Sequence, residues 1–266
     1  MFCKICRNHT QYIFKETILK KYSVSYFQCT KCGFIQTEDP FWLEEAYQSP
    51  IALIDTGIIE RNRKMTDVST FLIRIFFDKD AIYLDYAGGY GIFCRMMRDN
   101  GIDFYWTDPY CENLFSKGFE SKPNTTYKLV TSFESFEHFV DPLYEIEKIF
   151  NYSESILFST LLIPENIPEP SNWWYYAFNS GQHISLYSKK SLEEVANYFG
   201  KNFYTNNRNL HLISNIEINN TVFSLMTRMS YIIPSYLIKL GLKSKTIFDL
   251  DYLTYVYNHN SNSIGK

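Results

Sequence analysis

The run Ile82-Tyr83-Leu84-Asp85-Tyr86-Ala87-Gly88-Gly89-Tyr90-Gly91 decides how this chain folds. An apolar stretch ends near an acid, Asp85, and a glycine-rich corner follows. An amphipathic run then leads to Gly101, and a second short apolar run, Phe104-Tyr105-Trp106-Thr107, stops on Asp108. That order predicts strand, turn, helix and strand, the first half of a nucleotide-binding βαβ unit. Gly88, Gly89 and Gly91 remove the Cβ atoms that would block close backbone approach and resist positive φ. Asp108 lies seventeen residues after Gly91, with Pro109 beside it, where a carboxylate can accept both hydroxyls of a ribose.

A dinucleotide fingerprint, G-x-G-x-x-G, aims a helix start at a pyrophosphate. The glycines here do not fit that spacing, which disfavours a dinucleotide-dependent oxidoreductase. The pattern Asp85-x-Ala87-x-Gly89-x-Gly91 instead resembles motif I of the class I S-adenosylmethionine-dependent methyltransferases. The ligand of that family carries no phosphate, so an acid beside the loop is tolerable. The resemblance implies that Asp85 helps to position the amino acid end of the sulfonium ligand. Ala87 stands where the family usually has its first glycine, and its small methyl is expected to fit.

A second match follows in order. Tyr127 to Pro142, with Phe133-Glu134 at the end of an apolar run, Glu137-His138 after it and Asp141-Pro142 closing it, resembles the fourth-strand region of the same family. Phe133 and Glu134 then fall at the carboxyl end of a buried strand, the side on which open α/β sheets bind ligands. Asp141 is expected to cap, and Pro142 to start, a helix with Leu143, Ile146, Ile149 and Phe150 inward. Ser155 to Ile163 reads as a further buried strand. After it come Ser171 to Phe178, an aromatic segment, and the block Gly181-Gln182-His183-Ile184-Ser185-Leu186-Tyr187-Ser188. These resemble the substrate-side insertion of bacterial methyltransferases that carry an amino-terminal cysteine-rich segment, some of which modify sugars. Ser188 should start another helix, and 202–206 with 209–214 should form a closing hairpin. The resemblance covers about residues 1–215, by motif order. It implies an α/β fold with a Rossmann-like methyltransferase sheet and helices on both faces.

At the amino terminus, Cys3-x-x-Cys6 and Cys29-x-x-Cys32 are separated by 22 residues. The two-residue gap lets both sulfurs of a pair face one ion, and Gly33 relieves the turn after the second pair. Four thiolates close a tetrahedral site, so the spacing predicts a structural zinc ribbon with no open position for substrate. The expected organisation is a ribbon at 1–38, a helical linker or lid at 39–78, a methyltransferase domain at 79–215 with an aromatic insertion at 164–187, and a helical extension at 216–266. Within the second of these, residues 41–47 should form a short helix and 48–57 a linker. Ile59, Met65, Val68, Phe71, Leu72 and Ile75 recur at helical spacing beyond them. Tyr47 and Arg61 are placed where they could touch ligand.

The hydrophobic share of 45% supports a packed core, and 22 Tyr with 22 Phe indicate aromatic-rich packing. A balance of 26 basic against 29 acidic residues, with no basic block, argues against nucleic acid as a partner. No secretory signal precedes the first cysteine pair and no apolar run is long enough to span a bilayer, so a cytoplasmic protein is expected. Phe223, Met226, Met229 and Tyr231 hint at a helix ended by Pro234. Residues 216–266 are expected to pack as helices on the main domain or on a second subunit, as in a homodimer.

Methyl transfer from a sulfonium needs donor and acceptor held near-collinear, and a general base where the acceptor is a hydroxyl or an acidic carbon. His183, which follows the aromatic insertion, is the preferred base. His138 is the second candidate, with Glu137 able to orient or polarise a base. Trp173, Trp174, Tyr175 and Tyr176 form either a platform for the acceptor or ordinary packing, and as neighbours in sequence they cannot all face one pocket. The expected activity is methylation of a small-molecule acceptor, such as a nucleotide-linked sugar or glycan precursor. The alternative is a binding module that keeps fold and ligand without turnover.

Overall fold

The computed structural model describes residues 1–48 and 56–261; most of the expected linker at 48–57 lies outside them. In chain order the strands are β1 (Thr10–Ile18), β2 (Tyr22–Cys29) and β3 (Ile35–Thr37), followed by the helices α1 (Leu43–Ala46) and α2 (Ile58–Phe76). Next come β4 (Ile82–Tyr86), α3 (Ile92–Asp99), β5 (Asp103–Thr107), β6 (Val130–Phe133), α4 (Pro142–Phe150) and β7 (Ser155–Ser159). The rest is β8 (Ser185–Leu186), α5 (Lys189–Tyr198), β9 (Asn202–Thr205), β10 (Leu210–Ser214), α6 (Asn220–Ser230), α7 (Ser235–Ile238) and α8 (Thr246–Ser261). The chain is α/β, with the parallel strands and flanking helices of a Rossmann-like fold. It divides into two units, Met1–Asp55 with Leu129–Met226, and Thr56–Lys128 with Thr227–Lys266.

In the second unit β4 and β5 run parallel, from Ile82 opposite Asp103 to Tyr86 opposite Thr107. The expected strand, corner, helix and strand are all present. Helix α3 turns Phe93, Cys94 and Met97 inward, the i, i+1, i+4 pattern of a buried stripe. Of the expected helical extension, α7 and α8 are tied within this unit by polar groups, while α6 begins in the first unit. Arg98 is 1% exposed, and its Nε and Nη2 donate to the two carboxylate oxygens of Asp249 in α8 at 2.8 and 2.6 Å. Its Nη1 donates to Asp103 and to the Phe104 carbonyl, and the guanidinium lies 3.6 Å from the centre of the Phe119 ring. Arg74 of α2 donates to the Ile238 carbonyl, and Ser235 to Asp67 at 2.8 Å. Gly101, at φ +91°, passes so near Lys243 that a Cβ would stand 2.5 Å from its carbonyl oxygen.

In the first unit β6 and β7 are parallel, and β7, β10 and β9 continue antiparallel. Strands β9 and β10 form the hairpin expected at 202–214. Strand β7 stops at Ser159, short of the expected Ile163. Beyond it Thr160, Leu162 and Ile163 donate to the carbonyls of Asn209, Arg208 and Tyr187, so the backbone stays bonded after the regular ladder ends. The cysteine-rich segment forms a second sheet, β1-β2-β3-β8, in which the last strand comes from the block after the aromatic insertion. Trp173, Tyr175 and Tyr176 are buried in one cluster with Ile18, Val24, Tyr26, Ile35 and Trp42. Packing therefore claims three of the four contiguous aromatics, and Trp174 alone is exposed, at 77%. Trp42 adds a hydrogen bond from its indole to the Gly181 carbonyl at 2.8 Å.

No helix among the described residues is long and apolar enough to cross a membrane.

Removing one partner of a buried ion pair leaves the other charge uncompensated, at about 3–5 kcal/mol. Asp249→Ala should therefore lower the unfolding free energy, read from urea denaturation, by an amount of that order. Burial alone would raise the Asp249 pKa, but the hydrogen bonds from Arg98 and Arg95 outweigh it and hold the carboxyl below its usual value. A carboxylate depressed in this way contributes fully above its unfolded pKa of about 3.9 and loses that contribution as the pH falls through the folded value. Asp249→Asn should flatten the acid limb of the stability profile; an unchanged limb would refute the assignment.

Candidate functional site

The glycine corner is built from residues held at positive φ. Ala87, Gly89 and Gly91 lie at +56°, +53° and +85°. Ala87 thus adopts the conformation that suits a glycine, at a cost of roughly 1–2 kcal/mol for an L-residue. Gly88 is required for another reason: a Cβ there would sit 2.5 Å from Asp85 Oδ2 and 2.7 Å from Trp106. Asp85 itself is buried at the end of β4. At Gly89 an added Cβ would meet nothing within 4 Å, so the backbone faces open space. Its N–H donates to Asp108 Oδ2 at 2.9 Å, and its carbonyl accepts the Trp106 indole N–H at 2.9 Å.

Asp108 is the anchor of this loop. Its Oδ1 accepts the N–H groups of Tyr110 and Cys111 at 2.7 and 2.9 Å. A carboxylate offers about four acceptor positions, so three bonds to backbone leave one, on Oδ2. Gly91 is enclosed by Asn113 and Ser116, whose Oγ donates to its carbonyl at 2.8 Å. Glu120 joins this corner without any motif to announce it. Its backbone bridges Trp106 in the parallel sense and its carboxylate accepts from Asn113 at 2.9 Å. An isolated acid between short apolar runs gives no periodic signal, and only the bridge locates it.

In the other unit, β6 runs out into Glu134, itself at φ +51°. The Glu134 N–H donates to Ser159 Oγ at 2.9 Å, and that hydroxyl donates back to the Glu134 carboxylate at 2.6 Å. Phe133, half-buried, closes the strand. A single 3₁₀ turn, Phe136–His138, follows, and Asp141 caps α4 by accepting the Tyr144 N–H at 3.3 Å, with Pro142 at the first helical position.

Three bonds lay the block after Gly181 on that turn. Ile184 N–H donates to the Glu137 carbonyl at 2.9 Å, Ser185 Oγ to the Phe139 carbonyl at 2.7 Å, and the Tyr187 hydroxyl to the Phe136 carbonyl at 3.0 Å. His183 is thereby brought beside His138, ring centres 5.1 Å apart. His183 Nδ1 donates to the Tyr175 carbonyl at 2.6 Å, and His138 Nδ1 shares a 2.8 Å hydrogen bond with the Tyr47 hydroxyl. One ligand atom from each of Glu137, His138 and His183 lies within 4.8 Å of the others. Glu137 is fully buried, and neither of its carboxyl oxygens has a hydrogen-bond partner. Burial, and then the charge of Glu134, raises its pKa to about 8. Burial lowers His138 to about 3, helped by His183, and lowers His183 to about 4 against its bond to Tyr175.

The four N-terminal cysteines converge. Sulfur–sulfur distances are 3.7 Å for Cys3–Cys32, 3.3 Å for Cys6–Cys29 and 3.6 Å for Cys6–Cys32. Bonds of about 2.3 Å to a tetrahedral ion would set sulfurs about 3.8 Å apart, so the cluster has the dimensions such an ion needs. Backbone N–H groups of Ile5 and Cys32 point at Cys3 and Cys29 sulfurs, and Gly33 takes φ +75°. Cys94 is buried, and burial pushes its thiol to about 12. His211, for which sequence alone offers no partner, is buried between Thr205 Oγ1 at 2.8 Å and the Thr160 carbonyl at 3.0 Å.

Residues 59–203 match a protein family described as a methyltransferase domain. No curated protein matches the chain. Among solved structures, the plantazolicin methyltransferase BpumL in complex with SAH is similar at 13% identity and a TM-score of 0.47, over 67% of this chain and 95% of that one. The mitomycin 7-O-methyltransferase MmcR shows 14% and 0.41, over 65% and 60%. The magnesium protoporphyrin IX methyltransferase ChlM from Synechocystis PCC 6803 with bound SAH shows 10% and 0.40, over 65% and 92%.

Gly91→Ala combines a left-handed backbone with a Cβ 2.7 Å from Asn113 Oδ1. It should destabilise the protein by at least the roughly 1–2 kcal/mol of the conformational term, read as a lower melting temperature. A variant as stable as the parent would show that the corner does not need this geometry.

Proposed function

The chain belongs to the methyltransferase-domain family, and from that premise we propose that it transfers a methyl group from S-adenosylmethionine to a small-molecule acceptor such as a nucleotide-linked sugar or glycan precursor. The observation that carries this reading is the corner itself: backbone at positive φ, open at Gly89, with its N–H fixed by the Asp108 carboxylate. The donor is assigned to Asp85, Ala87, Gly88, Gly89, Gly91, Asp108 and Pro109, together with Phe133 and Glu134. Asp108 would take a ribose hydroxyl on the acceptor position left on Oδ2, while its remaining bonds keep the loop in shape. When bound, the sulfonium supplies a methyl group already activated for displacement, so the protein's task is mainly orientation.

On the acceptor side we place Glu137, His138 and His183. His183 is the preferred group to act on the acceptor's proton. Its Nδ1–H is committed to the Tyr175 carbonyl, which leaves Nε2 with a lone pair. Structural zinc on Cys3, Cys6, Cys29 and Cys32 would hold the turns of the ribbon, whose third strand carries β8. Apparent binding energies of about 10–16 kcal/mol in small zinc peptides are ample for that purpose.

Calorimetry with S-adenosylmethionine and SAH tests the donor: binding of either supports the reading, and failure of both overturns it. Binding without methyl release to any acceptor in a cell extract would assign the chain as a binding module instead. Hydrogen bonds to a charged group contribute about 1.5–3 kcal/mol, so Asp108→Ala should weaken SAH binding at least tenfold; unchanged affinity would remove the ribose assignment. Cys29→Ser should cost the protein one equivalent of zinc by metal analysis, and an unaltered zinc content would refute the four-thiolate site.

A further inference from the structure

Glu137 poses a question that packing does not answer. A fully buried carboxyl with both oxygens unpartnered costs several kcal/mol unless something completes it. Beside it, together with the Tyr175 and Thr160 hydroxyls, stand two histidines whose Nδ1 atoms are already engaged, His183 with the Tyr175 carbonyl and His138 with the Tyr47 hydroxyl. Each ring therefore has Nε2 left over. The three groups present one ligand atom apiece within 4.8 Å of one another. Donation of the outer ring nitrogen to a carbonyl or hydroxyl is the usual support of a metal-ligating histidine, because it fixes the tautomer that leaves the inner nitrogen's lone pair free.

We propose that Glu137, His138 and His183 bind a divalent transition-metal cation, distinct from the ion assigned to the cysteines. Two imidazoles and one carboxylate suit zinc and its first-row neighbours better than magnesium or calcium, which take oxygen ligands. Bonds of about 2.0–2.2 Å would draw the three ligand atoms inward and give the buried Glu137 carboxylate a cationic partner through one of its oxygens. Three protein ligands leave at least one coordination position open, the mark of a catalytic rather than a structural site. Both histidines are half-buried, so the open position is reachable where Glu137 is not.

The role of the ion rests on the methyltransferase reading, although the site itself does not. An acceptor hydroxyl ligating the ion becomes more acidic and loses its proton to solvent water. Its oxygen then forms the bond to the methyl carbon as the carbon–sulfur bond breaks, and the electron pair passes to sulfur, leaving a neutral thioether. The acceptor class so implied is a hydroxyl compound. His183 then acts on the proton through the ion instead of receiving it.

The full chain is equilibrated with excess zinc, passed through a desalting column and analysed for bound metal. The unmodified protein should carry one zinc more than Glu137→Gln and one more than His183→Asn, whatever the cysteine site holds. Equal zinc in all three overturns the proposal. Zinc K-edge absorption of the unmodified protein needs no variant that must fold: a nitrogen and oxygen shell near 2.0–2.1 Å beside sulfur near 2.3 Å supports the site, and a sulfur shell alone overturns it. SAH calorimetry on the same samples separates the two conclusions. Binding of SAH without the extra zinc sinks the metal site alone; the extra zinc without SAH binding leaves the site standing and sinks the methyltransferase reading.

Discussion

The peptide groups on either side of Ile184 are the constraint on which the first unit depends. The Ile184 N–H donates to the Glu137 carbonyl at 2.9 Å, and the Ile184 carbonyl accepts the Thr37 N–H at 3.2 Å. The side chain is 1% exposed, so both groups are out of water and each must be paired inside the protein. One donor fixes the 3₁₀ turn after β6, and one acceptor fixes the end of β3. A shift of this segment would orphan both, at about 1–3 kcal/mol for each buried group left without a partner. That is why the cysteine-rich sheet is built into the same unit as β6 and β7, and why His183 has a defined place beside His138.

The aromatic composition serves the same end. Tyr175 takes part in the buried cluster and also bonds outward, with its hydroxyl accepting the Leu161 N–H at 3.0 Å and its carbonyl accepting from His183 at 2.6 Å. Tyr187 packs on Phe34 and Phe136 while its hydroxyl reaches the Phe136 carbonyl. Large rings that end in a donor can fill volume and satisfy a buried carbonyl at once. A chain with 22 tyrosines can hold irregular segments such as 171–187 in place without a regular ladder.

The second unit solves a different problem, that of holding a loop in a conformation its own residues resist. Ala87 gains nothing from its positive φ, and Gly89 has no packing to restrain it. The Asp108 carboxylate supplies the restraint through three backbone N–H groups, and Trp106 supplies a fourth bond. The loop is thus preorganised by the same residue that the sequence pattern marks for ligand. At the other end of α3, Arg98 gathers Asp103, Asp249 and the Phe119 ring into a buried cluster. Charges so placed are tolerated because each nitrogen of the Arg98 guanidinium meets an acceptor and both Asp249 oxygens are bonded.

What the sequence determined by itself was local. The periods of 2.0 and 3.6, the glycine corner and the capping pair Asp141-Pro142 are short-range signals, and they locate β4, α3, β5, β6 and α4 because each element's inward face is written in its own residues. The doubled C-x-x-C spacing is equally local, and the cysteine sulfurs do converge. Sequence alone could not place β8 against β3, bury Trp173, Tyr175 and Tyr176 with the ribbon, or give α8 its anchor on Arg98. Such partners are far apart in the chain, 139 positions for the Trp42–Gly181 bond and 151 for Arg98–Asp249, and nothing in either partner's neighbourhood specifies the other. Glu137, His138 and His183 were legible as polar residues near the expected site. Only the folding of residue 184 onto the turn at 136–138 made them one cluster, because convergence of side chains is a property of the chain's path through space.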